Sequence, residues 1–153
     1  MPQPRTRLLA VDPGLLTGLV YVDISERMAP KPIASLEADT ATFYRAVEDL
    51  VPKDAEHMII VCENFIITQR TAKLSQAPWS LMGRGFMEYW AWKYSIPFVL
   101  QTPADAKDFS TDDKLKKAGF WHVGGEGHAN DAFRHAMKYH ADRSPRWTNT
   151  LTL

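Results

Sequence analysis

The chain has 153 residues, 45% of them apolar and 24% charged, which is room for one soluble domain with a real core and little space for a second. Its 18 Lys and Arg are matched by 18 Asp and Glu, so a simple polycation that coats nucleic acid is excluded. One cysteine, Cys62, excludes a disulfide scaffold or a cysteine-rich zinc module, and no apolar run approaches the ~20 residues of a membrane span.

Residues 1–7 hold two prolines and two arginines with no apolar stretch of signal-peptide length after them, so no signal peptide is visible and a reduced, cytoplasmic setting is expected. Leu8–Val11 is a short continuous apolar run, the pattern of a strand buried on both faces. Asp12-Pro13-Gly14 ends it as a turn, and Leu19–Asp23 follows as the second arm of a hairpin. Residues 25–32 carry two prolines and read as loop, and Ile33–Ala38 reads as a third strand. Asp39 or Thr40 is placed to cap a helix over 41–51, with Phe43, Val47, Leu50 and Val51 on one stripe and Pro52 as its stop.

Met58–Cys62 is the strongest apolar run and reads as a central strand ending at Glu63. Residues 65–76 lack a period and read as a mobile loop. A helix is expected over 78–94, with Met82, Phe86, Trp90 and Tyr94 as its apolar stripe, then a strand over 96–100. Short helices are expected over 103–109 and up to 118, the second capped by Thr111 and closed by Gly119. Gly124, Gly125 and Gly127 form a flexible link into a last helix over 128–141. Residues 1–6 and 142–153, the latter with Trp147 as its one large anchor, read as tails. The order of elements implies a single α/β domain, a mixed sheet with helical cover.

Two carboxylates, Asp12 and Glu63, end the two most apolar strands. If those strands are parallel neighbours, both acids project at one end of the sheet, where sites of α/β folds gather. Asp12 alone also suits a plain turn, and Glu63 alone a strand end. His128 and Asp131 stand three apart and share a helix face, with small Ala129 and Ala132 allowing close approach. Asp131 alone would also serve the helix dipole. Together the four are hard oxygen ligands plus one imidazole, a set suited to Mg²⁺ or Mn²⁺, and two such ions support in-line attack of water on a phosphodiester.

This ordered set, Asp12-Pro13-Gly14 with Thr17-Gly18, Glu63 after an apolar strand, and His128-x-x-Asp131-Ala132, resembles the RuvC family of Holliday-junction resolvases. The resemblance spans about residues 7–141. It implies an RNase H-like fold with a mixed five-stranded sheet, and a homodimer that nicks four-way DNA junctions in pairs with divalent metal. It implies that Asp12, Glu63, His128 and Asp131 are the catalytic, metal-binding residues. It also implies that the loop after Glu63 meets DNA, with Phe65 near an aromatic wedge position. A short neutral chain fits a compact phage-type member.

The charge balance is uneven along the chain. Residues 1–63 hold 6 basic and 10 acidic side chains, and residues 64–153 hold 12 and 8. Arg70, Lys73, Lys107 and Lys114 are the candidate phosphate contacts in the basic part, beside Arg84, Lys116 and Lys117. His135 lies on the Asp131 stripe and reads as a surface histidine or a support for the site. Cys62 reads as core. Trp79, Phe86, Tyr89, Trp90 and Trp92 exceed what one core face needs, and a dimer seam aided by Gly83 and Gly85 stands beside the reading of a well-filled monomer core. Ser75 and Ser80 have no nucleophile-elbow context. A branch or flap nuclease of the same fold, a noncatalytic branched-DNA-binding module and, last, an actin-like nucleotide binder are the rival readings.

Overall fold

A computed structural model of the chain describes residues 5–24, 29–73 and 77–143. Strands β1 (Arg7–Asp12), β2 (Thr17–Asp23), β3 (Lys31–Ala38), β4 (Met58–Glu63) and β5 (Phe98–Gln101) form one sheet in the order β3-β2-β1-β4-β5. The hairpin β1–β2 and the pair β2–β3 are antiparallel, while β1–β4 and β4–β5 are parallel. The helices are α1 (Thr40–Asp54), α2 (Ala77–Tyr94), α3 (Pro103–Phe109), α4 (Asp112–Ala118) and α5 (His128–Arg143). The expected mixed five-stranded sheet with helical cover is what the chain forms.

Side-chain alternation sorts the core into two layers. Leu8, Ala10, Val20, Val22 and Val61 face α5, where Phe133, Ala136 and Met137 meet them. Leu9, Val11, Leu19, Ile60 and Cys62 face α1 and α2, meeting Phe43, Val47, Met87 and Trp90. Cys62 is fully buried, as expected of a small core residue. Burial pushes its thiol pKa up, away from reactivity.

The helix caps agree with the sequence. Asp39 accepts a hydrogen bond from the Thr42 amide at 2.9 Å, and Thr111 caps α4, which Gly119 closes in the left-handed region at φ 81°. Several local readings differ. β5 spans Phe98–Gln101 rather than 96–100, and α5 runs on to Arg143, past the expected start of the tail at 142. Pro52 does not stop α1, which continues to Asp54. Proline forfeits one helical hydrogen bond, but the Tyr21 hydroxyl donates to the Asp54 carboxylate and ties that last turn to the sheet. Residues 31 and 32 belong to β3 rather than to a loop. Pro32 is tolerated because β3 is an edge strand, and the register with β2 shifts at Tyr21/Val22 beside it.

The stripe expected on α2 is also displaced. Ser80, Gly83, Met87, Trp90 and Ala91 are buried, whereas Met82 is exposed and Phe86 and Tyr94 are half-buried. Steps of four residues overshoot a helical turn by about 40° each, so a row of i+4 positions slides off the contact line. The small residues mark the true line: a Cβ on Gly83 would stand 2.7 Å from the Pro13 Cβ. Gly83 therefore packs α2 onto the turn after β1 and takes no part in an outer seam.

Candidate active site

The site begins as one row across the sheet. Glu37 pairs with Gly18, Gly18 with Asp12, and Glu63 with Gln101. The β1–β4 register runs through Val11 and Cys62, which sets Asp12 level with Glu63. The alternation that puts Ala10, Val20, Val61 and Val99 against α5 turns all five positions of this row to the same face. The condition drawn from sequence, adjacent parallel strands ending in two acids, is met.

Helix α5 lies across that row and answers it residue by residue. His128 Nδ1 stands 3.0 Å from Asp12 Oδ2. His135 Nε2 stands 2.9 Å from Glu63 Oε2, and its Nδ1 2.9 Å from Gln101 Oε1. Arg134 donates to Asp131 Oδ1 at 2.7 Å, to the Ser110 carbonyl at 3.0 Å and to the Asp112 carboxylate. Glu37 accepts from the backbone amides of Glu126, His128 and Ala129. It is the N-terminal cap of α5, supplied from a strand. A helix start offers orphan amides, and an anion there is favoured both by hydrogen bonding and by the helix dipole. The glycines of 124–127 are the approach to this cap: Gly124, Gly125 and Gly127 all have positive φ, and a Cβ on Gly125 would stand 2.7 Å from the Glu37 carboxyl carbon. The segment read as a flexible link is a shaped loop around one carboxylate.

The electrostatics follow from burial. Asp12 is pushed up to about 6, first by burial and then by the charges of Glu63 and Asp131, against the opposing hydrogen bond from His128. His128 is raised above its ordinary value by the bond to Asp12. Burial works against ionisation of Glu37, but the amide hydrogen bonds and the His128 charge outweigh it and hold its pKa below the ordinary value.

Three carboxylates and an imidazole are the ligand chemistry of a hard divalent cation. Asp12 is buried with the Glu63 and Asp131 charges close by, an arrangement that a cation would relieve. By donor chemistry the residues fit Mg²⁺ or Mn²⁺. Each carboxylate is at present engaged by a nitrogen on α5, and among the described residues no three His, Cys, Asp or Glu side chains form a ready-made metal cage.

No protein-family model matches the chain, and no curated protein does. Among solved structures, RuvC of T. thermophilus in complex with a Holliday junction substrate aligns at TM-score 0.67 and 14% identity, covering 90% of this chain and 96% of RuvC. A second Thermus thermophilus RuvC structure gives 0.66 at 15% identity over the same shares. The fowlpox virus resolvase bound to Holliday junction DNA gives 0.61 at 13% identity, covering 88% of this chain and 99% of its own. The chain has the RNase H-like fold of RuvC.

On this RuvC fold the other expected residues fall into two groups. Phe65 (half-buried) and Arg70 and Lys73 (exposed) lie on the segment that leaves the strand end at Glu63. Ile66 and Ile67 beside them are exposed apolar residues that the sequence reading passed over. Lys107 and Lys114 sit on α3 and α4, with Lys107 exposed. The side-chain nitrogens of Arg70, Lys73, Lys107 and Lys114 have no ion-pair partner among the described residues, whereas Arg84 is engaged by Glu88 and the Asn64 side chain. Ser80 is buried in α2. Ser75 and Trp147 lie outside the described residues.

His135 corrects the surface reading. It has no exposed area at all, because it faces the sheet, where its two nitrogens meet Glu63 and Gln101 at the ends of β4 and β5. Its spacing of four from Asp131 is visible in the sequence; the β4–β5 pairing that sets Glu63 beside Gln101 to meet it is not. Glu37 and Arg134 carried no signal beyond their charge. Among the described residues no helix is long and apolar enough to cross a membrane.

Proposed function

We propose that this protein is a divalent-metal-dependent, structure-selective DNA endonuclease that resolves four-way junctions by paired nicks, acting as a homodimer. The observation that carries the reading is the juxtaposition of Asp12 and Glu63, level at the ends of adjacent parallel strands, with His128 and Asp131 brought over them by α5. The fold shared with RuvC and the fowlpox resolvase, both known bound to Holliday junctions, supports the substrate class.

Asp12, Glu63, Asp131 and His128 would hold two Mg²⁺ ions, with Mn²⁺ able to replace them. Bound ions would polarise the scissile phosphate and acidify the attacking water. Asp12 brings the charge that burial makes most costly, so it has most to gain from a cation. His128 is fixed through Nδ1 by Asp12 and has no partner at Nε2 among the described residues, which leaves that nitrogen either to bind an ion or to orient the attacking water. Phe65, Arg70, Lys73, Lys107 and Lys114 are the proposed DNA contacts. The unpaired cations would hold phosphates without reading sequence. The overall neutrality predicts that junction shape and dimer geometry, rather than bulk charge, supply selectivity, with a modest salt slope.

The test is gel-resolved nicking of a mobile four-way junction in Mg²⁺, Mn²⁺ and chelator, beside three-way and flap DNA. Paired nicks in the four-way junction that chelator abolishes, and that Asp12→Asn loses while still binding the junction, are expected. Full nicking by Asp12→Asn overturns the site assignment. Equal cleavage of flaps and junctions replaces resolution with general branch cleavage, and binding without cleavage in either metal leaves a noncatalytic branched-DNA module.

A further inference from the structure

The row across the sheet ends in a relay that the metal-site reading does not use. His135 is fully buried, flanked on α5 by the core residues Ala132, Ala136 and Met137. A buried imidazole is costly unless its nitrogens are satisfied. Here both are: Nε2 faces Glu63 Oε2 and Nδ1 faces the Gln101 amide, each at 2.9 Å. A carboxylate only accepts, so Nε2 carries the proton and donates it to Glu63. The Gln101 amide offers an oxygen and an NH₂ on one swivel, so it serves Nδ1 whichever role that nitrogen takes. Gln101 is itself buried and set by its register with Glu63. The oxygen Glu63 Oε1 has no protein partner among the described residues.

We propose that His135, braced by Gln101, is a positioning residue that holds Glu63 by Oε2 and so presents Oε1 to the divalent ion. This rests on the metal-dependent reading of the site. The physical reason is entropic and directional. A glutamate has three side-chain torsions, and a ligand that must stop them on binding loses affinity that a pre-set one keeps. Hydrogen-bonded partners of metal ligands are typically worth about 10- to 100-fold in metal affinity or activity.

The experiment titrates Mn²⁺ into the full-length protein without DNA, by calorimetry, and follows junction nicking in parallel. His135→Leu removes both hydrogen bonds at similar volume; His135→Gln keeps a donor toward Glu63; Gln101→Leu leaves the imidazole unbraced. At matched melting temperature, His135→Leu is expected to weaken Mn²⁺ binding by about 10- to 100-fold and to lower kcat with KM for the junction unchanged. His135→Gln is expected to recover part of both, and Gln101→Leu to lose less in the same direction. If His135→Leu does not fold, the Gln101→Leu and His135→Gln pair decides: wild-type Mn²⁺ affinity and kcat in both overturn the proposal. Wild-type Mn²⁺ affinity in a folded His135→Leu overturns it as well, as does a His135→Gln no better than His135→Leu. Glu63→Gln is the reference. If Glu63→Gln is inactive while His135→Leu is intact, only the positioning role fails; if Glu63→Gln binds Mn²⁺ and nicks like wild type, the reading of the site fails and takes the proposal with it.

Discussion

Gly18 on β2 lies directly beneath His128, the first residue of α5, so closely that a Cβ on Gly18 would overlap the His128 carbonyl and crowd the Ala129 amide. Gly18 also pairs with Asp12 in the β1–β2 register. The same absence of a side chain thus lets α5 reach the sheet and brings His128 within 3.0 Å of Asp12. Because the obstacle is backbone, it cannot swing aside as a flexible side chain would. Gly18→Ala is expected to cost about 1–3 kcal/mol or more by overpacking, lowering Tm by about 2–4 °C for each kcal/mol in a chain of this size. It should cut nicking further than the lost stability explains, since His128 is pushed off Asp12. Thermal melts and nicking rates measured well below Tm check this, and an unchanged rate would show that α5 has slack the packing does not suggest.

The Asp12–His128 pair sets a pH dependence whose sign is definite. Asp12 is raised to about 6, chiefly by burial. The native state therefore keeps a proton that the unfolded chain releases near its ordinary value of 3.8, and stability falls as pH rises between the two. His128 is raised by its bond to Asp12; its stabilising contribution is complete below its ordinary 6.5 and is lost as pH climbs through the higher folded value. Both contributions fall in the same direction. In chelator, wild type should lose stability relative to Asp12→Asn as the pH rises from mild acid through neutrality, so the difference between the two moves steadily in the variant's favour. Added Mn²⁺ should raise the Tm of wild type and leave the variant nearly unmoved. Melts across pH with chelator and with Mn²⁺ read both arms.

Much of this site was legible from residue order alone, and the illegible part has a common cause. Asp12 and Glu63 stood out because an acid directly after an apolar run must face a site or solvent, and the parallel β1–β4 pairing places them level. His128 and Asp131 followed from helical spacing. His135, on the same stripe, reads from sequence as a surface histidine or a support for the site; the fold turns it to the sheet, where it meets Glu63 and Gln101. Glu37 was silent for the same reason: its role depends on the β2–β3 register that carries it to the start of α5. Local pattern reports strands, caps and helix faces. It does not report which strand meets which helix residue, and both supports of the site depend on that: Glu37 reaches α5 from β3, and His135 meets Glu63 and Gln101 at the ends of β4 and β5.

Glu37 should therefore behave as a cap rather than as a surface acid. Its carboxylate accepts the amides of Glu126, His128 and Ala129, and its pKa is held below its ordinary value of 4.5 despite the burial. A depressed acid contributes stability that is present above the unfolded value and lost as pH falls through the folded one. Glu37→Gln is expected to cost roughly 1 kcal/mol near neutral pH, as loss of a helix cap does, with the difference from wild type shrinking as the pH drops below 4.5 and through the lower folded value. Because His128 is the first residue of α5, frayed capping should also slow nicking. Denaturant melts at pH 7 and pH 3 test the claim; a gap of equal size at both would mean that the charge of Glu37 does not matter to α5.

Trp79, Met82, Gly85, Tyr89 and Trp92 follow one another at helical spacing along α2, and all are exposed, Trp92 by 77% and Met82 by 51%. An exposed apolar stripe of that kind suits contact with a second copy of the chain. Nothing lies within 4 Å of where a Gly85 Cβ would be, so two such helices would be able to cross closely at that point. Paired nicking of a four-way junction needs two sites, and this face is the seam expected to supply the second copy. Trp92→Glu with Met82→Glu should shift the protein from dimer to monomer by light scattering and remove the concentration dependence of its melt, while the monomer stays folded because neither side chain belongs to the core. The monomer should still nick, but with single, unpaired cuts in place of the matched pair that separates a junction into two linear duplexes. A variant that stays dimeric, or one that falls apart yet still cuts in matched pairs, would place the seam on another face of the molecule.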